Sequence, residues 1–385
     1  MKEPMSDIKF AIEDVLKEAQ QKSGLVDFGA NDFKEGLGTL LETYDRNGFN
    51  EKGRKRMRRR VVDLLGARLR IEDALKRHPE IRKVDIKNPM FLTGLPRTGT
   101  SALLNLLAND AAARPLKLWE GLNPDPIDGL APGQDDPRYL AMTQYYDEMN
   151  KKSEFKKIHA TSADTPEECI HLLNHTFQDV QFGFEPLMEP YGSWFQQQDL
   201  GPSYDYYADL LRMLQWQRPG ERWLLKTPGH LWALDKLVQL FPDCSIIVTH
   251  RNPLECVTSY ASMMAAMMLE RDFDKKELGP VTMEYLASKV ERSLKARNDF
   301  SSDRILDLQF NDFVENPLET VNKIYRHFHI DMSNATKSAM EAYALEHPMG
   351  KHGKHEYHLE EYGLTEDQVL DRFDFYIKRF NPPMD

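Results

Sequence analysis

Apolar residues early in the chain recur at helical spacing. Phe33, Leu37, Leu40, Leu41 and Tyr44 fall three or four positions apart, which puts them on one face of a helix. Asp32 with Glu35 has the form of a capping box at its start. Val61, Leu64, Leu65 and Leu69 form a second such stripe, preceded by the basic run Arg54, Lys55, Arg56, Arg58, Arg59 and Arg60. A charge run on an amphipathic helix reads as its solvated face. Residues 1–88 are therefore expected as an N-terminal helical segment that packs its apolar stripe on the rest.

From residue 89 the pattern changes to short apolar runs at 90–93, 223–225, 245–249 and 305–308. Each is followed by helical spacing, at 100–108, 231–241, 254–268 and 317–328. Strands alternating with helices predict an α/β fold over 89–385: a P-loop-like parallel sheet flanked by helices, with ligands gathering at the carboxyl ends of the strands. The interval 110–220, rich in Pro, Tyr, Trp and Phe, is too long for a simple crossover and is expected to form a helical cap over the site.

Composition narrows this picture. A net charge of -11 at pH 7 argues against generic binding to nucleic acid, which relies on a broad basic surface, so a polyanionic ligand would need locally placed cations. Three cysteines, Cys169, Cys244 and Cys256, cannot build a disulfide framework and point to a reducing compartment. Residues 1–20 lack a signal-type apolar stretch, and no apolar run reaches membrane-spanning length. A cytoplasmic protein is expected.

The firmest chemical feature is the run Phe91-Leu92-Thr93-Gly94-Leu95-Pro96-Arg97-Thr98-Gly99-Thr100-Ser101, a strand, a glycine-bounded loop and a helix start. Backbone N–H groups and the helix N-terminus can there cradle a phosphate. The loop nearly fits G-x-x-x-x-G-K-[ST], but Thr100 stands where the lysine of an NTP site would be, which argues against ATP or GTP. A cation sits instead inside the loop, at Arg97. The run 245–249 leads into His250-Arg251 rather than a carboxylate, so no holder for Mg²⁺ is evident. Transfer without a metal is preferred. Beyond that run come Arg251-Asn252-Pro253 and, eight residues after Arg251, Ser259, a pair suited to a second phosphate group.

With both motifs in this order and context, residues 89–330 resemble the sulfotransferases that use 3′-phosphoadenosine 5′-phosphosulfate, and most of all their bacterial small-molecule branch. The resemblance implies that Arg97, Thr98, Gly99, Thr100 and Ser101 wrap the 5′-phosphosulfate and that Arg251 and Ser259 clamp the 3′-phosphate. It also implies that Lys351 and Lys354, within a cationic segment at 340–365, close over the donor. The acceptor would be a hydroxyl of a small molecule, and an apolar or aromatic one suits Met263, Met264, Met267, Met268 and the aromatics of the cap.

Sulfuryl transfer needs a base for the acceptor proton and cations on the transferring group. Two residues compete for the first role. Glu120 lies where similar sulfotransferases carry a catalytic glutamate, and Trp119 beside it would raise its pKa. His230, in Lys226-Thr227-Pro228-Gly229-His230, resembles the Lys-Thr-His of the cytosolic enzymes, with two residues interposed. Lys226 and Arg97 would stabilise developing charge. His171 and His175, four apart, form only a weak metal pair with no third ligand at a characteristic spacing. The alternatives are a P-loop kinase or NTPase, and a nucleotide-binding protein without catalytic activity.

Overall fold

The computed structural model describes residues 8–130, 134–150, 162–179, 184–268, 270–298, 300–348 and 358–384. Five strands form one wholly parallel sheet: β1 (Met90–Gly94), β2 (Ala113–Pro115), β3 (Arg222–Lys226), β4 (Ser245–His250) and β5 (Ile305–Gln309). Their order is β2-β3-β1-β4-β5. Parallel strands covered on both faces should be apolar throughout, and every residue of β1 is buried. Alternate residues feed two apolar layers. Phe91, Leu225, Ile246 and Val248 join one; Met90, Leu92, Leu224, Ile247 and Leu308 join the other.

The first layer holds the N-terminal helices α1 (Ile12–Ser23), α2 (Phe33–Arg46) and α3 (Glu51–Arg77). Phe33, Leu37, Leu40, Leu41 and Tyr44 are buried in the same core as Phe91 and Leu225. The capping box is not formed. Asp32 has helical backbone angles and no cap bond, because its carboxylate pairs at 3.2 Å with the buried Arg68. Glu35 instead accepts from the Trp194 indole at 2.9 Å. The basic run sits on α3 and is met locally: Arg54 by Asp45, Lys55 by Glu51, Arg56 by Glu270, Arg58 by Glu18 and Arg59 by Asp63.

The second layer is built on α4 (Thr100–Leu107), the helix that leaves β1, and on Pro317–His327. Sequence periodicity missed β2, which has three half-buried residues and no apolar run, and which pairs with β3. The helix expected over 231–241 starts later. Pro228 and Gly229 close a 3-10 turn at Pro228–Trp232, with the Thr227 hydroxyl accepting from Gly229 N–H at 3.3 Å, and the helix proper is Leu234–Leu240. The interval 110–220 carries helices Leu118–Leu122, Pro137–Asn150, Tyr191–Gln197 and Gly201–Gln217. Among the described residues no helix is long and apolar enough to cross a membrane.

Candidate functional site

The loop from β1 to α4 needs its glycines. Gly94 has φ 151°, and a Cβ there would lie 2.5 Å from Thr249 Oγ1; Gly99 has φ 81°, and a Cβ would lie 2.9 Å from the Phe310 ring. Gly99→Ala should therefore push the loop off Phe310 and weaken binding of any phosphate seated there by about tenfold, read by calorimetry. Thr98 is fully buried, and its hydroxyl donates to Leu95 O at 2.7 Å and lies 2.6 Å from Thr249 Oγ1. Its side chain shapes the loop, so what it can offer a ligand is backbone. Among the described residues no side chain caps α4, so its first-turn N–H groups are not taken by a cap.

The two motifs meet directly. Arg97, at φ 72°, turns its guanidinium to donate from Nε to Ser259 Oγ at 3.1 Å. Arg251 donates from Nη1 to Arg97 O at 2.8 Å, and its guanidinium lies 4.2 Å from the Phe310 ring centroid. Arg97, expected at the phosphosulfate, thus lies within reach of the helix that carries Ser259. A network fixes Arg251 in turn. Tyr376 Oη accepts from Arg251 N–H at 3.2 Å and lies 3.2 Å from His250 Nδ1. His250 Nε2 is 2.7 Å from Asp307, which Arg297 also pairs at 2.8 Å. Burial acts to raise the Asp307 pKa, but these two bonds outweigh it and hold the carboxyl well below the usual range.

On the other side of the loop, Lys226 ends β3 with its side chain 3% exposed. Its ammonium donates to Ser101 Oγ at 2.9 Å and forms an ion pair with Glu168. The Thr227 hydroxyl lies within 3.3 Å of the same carboxylate. Sequence reading passed over Glu168. It stands in Thr165-Pro166-Glu167-Glu168-Cys169, a stretch without periodicity. Two backbone bonds bring it to the sheet: Glu167 N–H to Leu116 O and Cys169 N–H to Lys226 O, both 2.8 Å.

Of the two candidates for the base, Glu120 lines a groove along α4 and His230 is enclosed in the core. Glu120 is buried against Arg114 at 3.0 Å and Arg218 at 3.6 Å, and it accepts from Lys117 N–H at 3.1 Å. The Trp119 ring faces the cations Arg138 and Arg218. Glu120 shares with Ser101, Arg114 and Lys117 the lining of a groove of about 1550 Å³ along α4. His230 is wholly buried among Phe91, Tyr204 and Tyr207, with Nδ1 3.0 Å from the Tyr204 hydroxyl and Nε2 without a partner among the described residues.

Burial drives the His230 pKa down to about 3, so the ring stays neutral in the folded protein. A ring that protonates from 6.5 downward in the unfolded chain but not in the fold costs stability as pH falls through that window. The cost is about 1.4 kcal/mol per pH unit. His230→Phe should thus gain on the wild type by about that much per unit between pH 6 and pH 4 in urea unfolding, whatever its stability at neutral pH.

His175, also buried, is lowered to about 4 and bonds Gly121 O at 3.0 Å, whereas His171 pairs with Glu167 at 3.5 Å. The two histidines have separate partners. Among the described residues no group of three or more His, Cys, Asp or Glu could hold a metal ion. Met264 and Met268 are core residues, while Met263 and Met267 are each 36% exposed. Lys351 and Lys354 lie outside the described residues.

The sulfotransferase family profile matches residues 89–334. No curated protein sequence matches the chain. Among solved structures, sulfotransferase STF1 from Mycobacterium tuberculosis H37Rv is 31% identical, over 95% of this chain and 99% of that one, at TM-score 0.82. Sulfotransferase STF9 from Mycobacterium avium is 26% identical, over 99% of both chains, at TM-score 0.88.

Proposed function

The chain belongs to the sulfotransferase family, and from that premise we propose that it moves the sulfuryl group of 3′-phosphoadenosine 5′-phosphosulfate to a hydroxyl of a small molecule. The observation that carries this reading is the junction of the loop with Arg97, Ser259 and Arg251, which gathers two guanidinium groups and a hydroxyl beside a loop without the NTP lysine. One donor molecule bears both a 5′-phosphosulfate and a 3′-phosphate, and two grips side by side suit it. The backbone of Thr98, Gly99, Thr100 and Ser101, with the α4 N-terminus, takes the 5′ group. Arg251, Ser259 and Arg97 take the 3′-phosphate through charge-assisted bonds. Lys226, at the foot of α4 beside Ser101, neutralises charge that develops on the leaving phosphate oxygen.

No metal is assigned a role, since the cations of the site are side chains. The groove beside α4 offers room for an apolar or aromatic acceptor. Three free cysteines suit the reducing cytoplasm.

The test is turnover of the phosphosulfate donor with a panel of phenols and aliphatic alcohols, with and without EDTA, beside ATP with Mg²⁺. The expected result is formation of adenosine 3′,5′-bisphosphate and a sulfated acceptor at a rate indifferent to EDTA, with no ADP from ATP. Magnesium-dependent ATP turnover would overturn the proposal and restore the kinase alternative.

A further inference from the structure

Arg251 is assigned above to the donor's 3′-phosphate, and a helix late in the chain, Asp374–Phe380, holds it in place. Resting on that reading, we infer that Tyr376 of this helix is a positioning residue that sets the preference for a 3′-phosphorylated nucleotide. It acts on the ligand only through Arg251.

Arg251 stands where no regular element supports it. β4 ends at His250 and the next helix starts at Pro253, so Arg251 and Asn252 bridge the two. Backbone groups in such a bridge need partners from elsewhere. The Tyr376 hydroxyl meets both of those of Arg251: it accepts from Arg251 N–H at 3.2 Å and lies 3.3 Å from Arg251 O. Its third neighbour is His250 Nδ1, at 3.2 Å. The single phenolic proton goes to Arg251 O or to His250 Nδ1, and the oxygen accepts the Arg251 N–H in either case.

The phenol itself has little freedom. Tyr376 is 1% exposed, and its ring packs on Phe373 and Phe380 with centroids 6.0 and 5.3 Å away. Phe380 also stacks on the His250 ring at 3.9 Å, and its carbonyl accepts from the Gln309 amide at 2.7 Å. His250 is held in turn by Asp307, which Arg297 grips through two bonds. The helix thus closes over the ends of β4 and β5 and presents one hydroxyl to the residue that leaves β4.

The consequence lies in the Arg251 side chain. Its guanidinium donates to Arg97 O, lies over the Phe310 ring and pairs with Glu255 one turn along the same helix. A 3′-phosphate has to take the guanidinium from Glu255. With the backbone of Arg251 pinned at N–H and C=O, that exchange needs a rotation of the terminal fork and no shift of the whole residue. Pre-organisation of this kind raises affinity by lowering the ordering cost of binding. The 5′ group is assigned to the backbone of residues 98–101, to which Tyr376 makes no hydrogen bond among the described residues. Its grip should not depend on the phenol.

The experiment is a double-mutant cycle on the full chain: wild type, Tyr376→Phe, Arg251→Ala and the two together. Each is titrated calorimetrically with adenosine 3′,5′-bisphosphate and with adenosine 5′-phosphate. Phenylalanine keeps the buried ring and removes only the hydroxyl. The expected result for Tyr376→Phe is a loss of about tenfold in bisphosphate affinity, with adenosine 5′-phosphate within about twofold of wild type. In the Arg251→Ala background the same substitution should change bisphosphate affinity by less than about twofold, because its effect runs through the arginine. A merely structural tyrosine would weaken both nucleotides alike, or add its own loss to that of Arg251→Ala. Either result overturns the inference, as does wild-type bisphosphate affinity in Tyr376→Phe. Should Tyr376→Phe fail to fold, hydrogen exchange in the unmodified chain decides. Before any ligand is added the Arg251 amide should exchange at least about 100-fold more slowly than an unstructured one, and unprotected exchange overturns the inference. A wild type that binds the two nucleotides equally would instead remove the 3′-phosphate reading of Arg251, and the inference with it.

Discussion

Lys226→Met is expected to lower turnover by about 10²- to 10³-fold while donor affinity moves by no more than a few fold, the pattern seen when a group that meets transition-state charge is removed. The ammonium is buried, ends a strand that points into the site, and sits within hydrogen-bond reach of Ser101 at the start of α4. In a buried setting a cation aimed at an oxygen that gains charge is worth far more than it is in water. Methionine keeps the length and apolar stem of lysine, so the strand end stays filled, and Glu168 is open enough to find water. The split between kcat and KM is the check. A variant with normal kcat and a raised KM would mean that Lys226 only grips the ground state.

Arg251→Ala should weaken adenosine 3′,5′-bisphosphate binding by about 10²-fold, yet leave adenosine 5′-phosphate binding within a few fold. Arg251 is assigned to the 3′-phosphate alone, and a charge-assisted contact from a half-buried guanidinium carries a cost of that size. The same residue stacks on Phe310 and donates to Arg97 O, so alanine also loosens Arg97 on its way to Ser259. Arg251→Lys should not restore affinity, because an ammonium cannot reproduce a planar fork that bonds a backbone oxygen and a phosphate together. Titration calorimetry on the three proteins reads the outcome. Equal losses for both nucleotides would place Arg251 at the 5′ group instead.

The alternation of apolar runs with helical spacing made the parallel sheet legible, because strands buried on both faces carry apolar runs, as residues 90–92 of β1 and 246–248 of β4 do. β2 escaped for the converse reason: an edge strand of three half-buried residues writes no pattern. The loop was legible through its glycines, whose positions are dictated by Thr249 and Phe310. The settings of the base candidates were not. Glu120 and His230 stand near motifs in the chain, but a neighbour in sequence says nothing about which charges face a carboxylate or whether a ring sees solvent. Glu168 reaches Lys226 only through bonds between residues 58 apart in sequence. Asp32 shows the same limit on a smaller scale, since the buried Arg68 from α3 took the carboxylate that local spacing assigned to a cap.

The most direct measurement of the central claim is titration calorimetry of the unmodified chain with adenosine 3′,5′-bisphosphate, adenosine 5′-phosphate and ATP with Mg²⁺. Two phosphate grips side by side should bind the bisphosphate at least about 10²-fold more tightly than either of the others, the worth of a second set of charge-assisted bonds. Equal affinity for the bisphosphate and adenosine 5′-phosphate, or tighter binding of ATP with Mg²⁺, would contradict it.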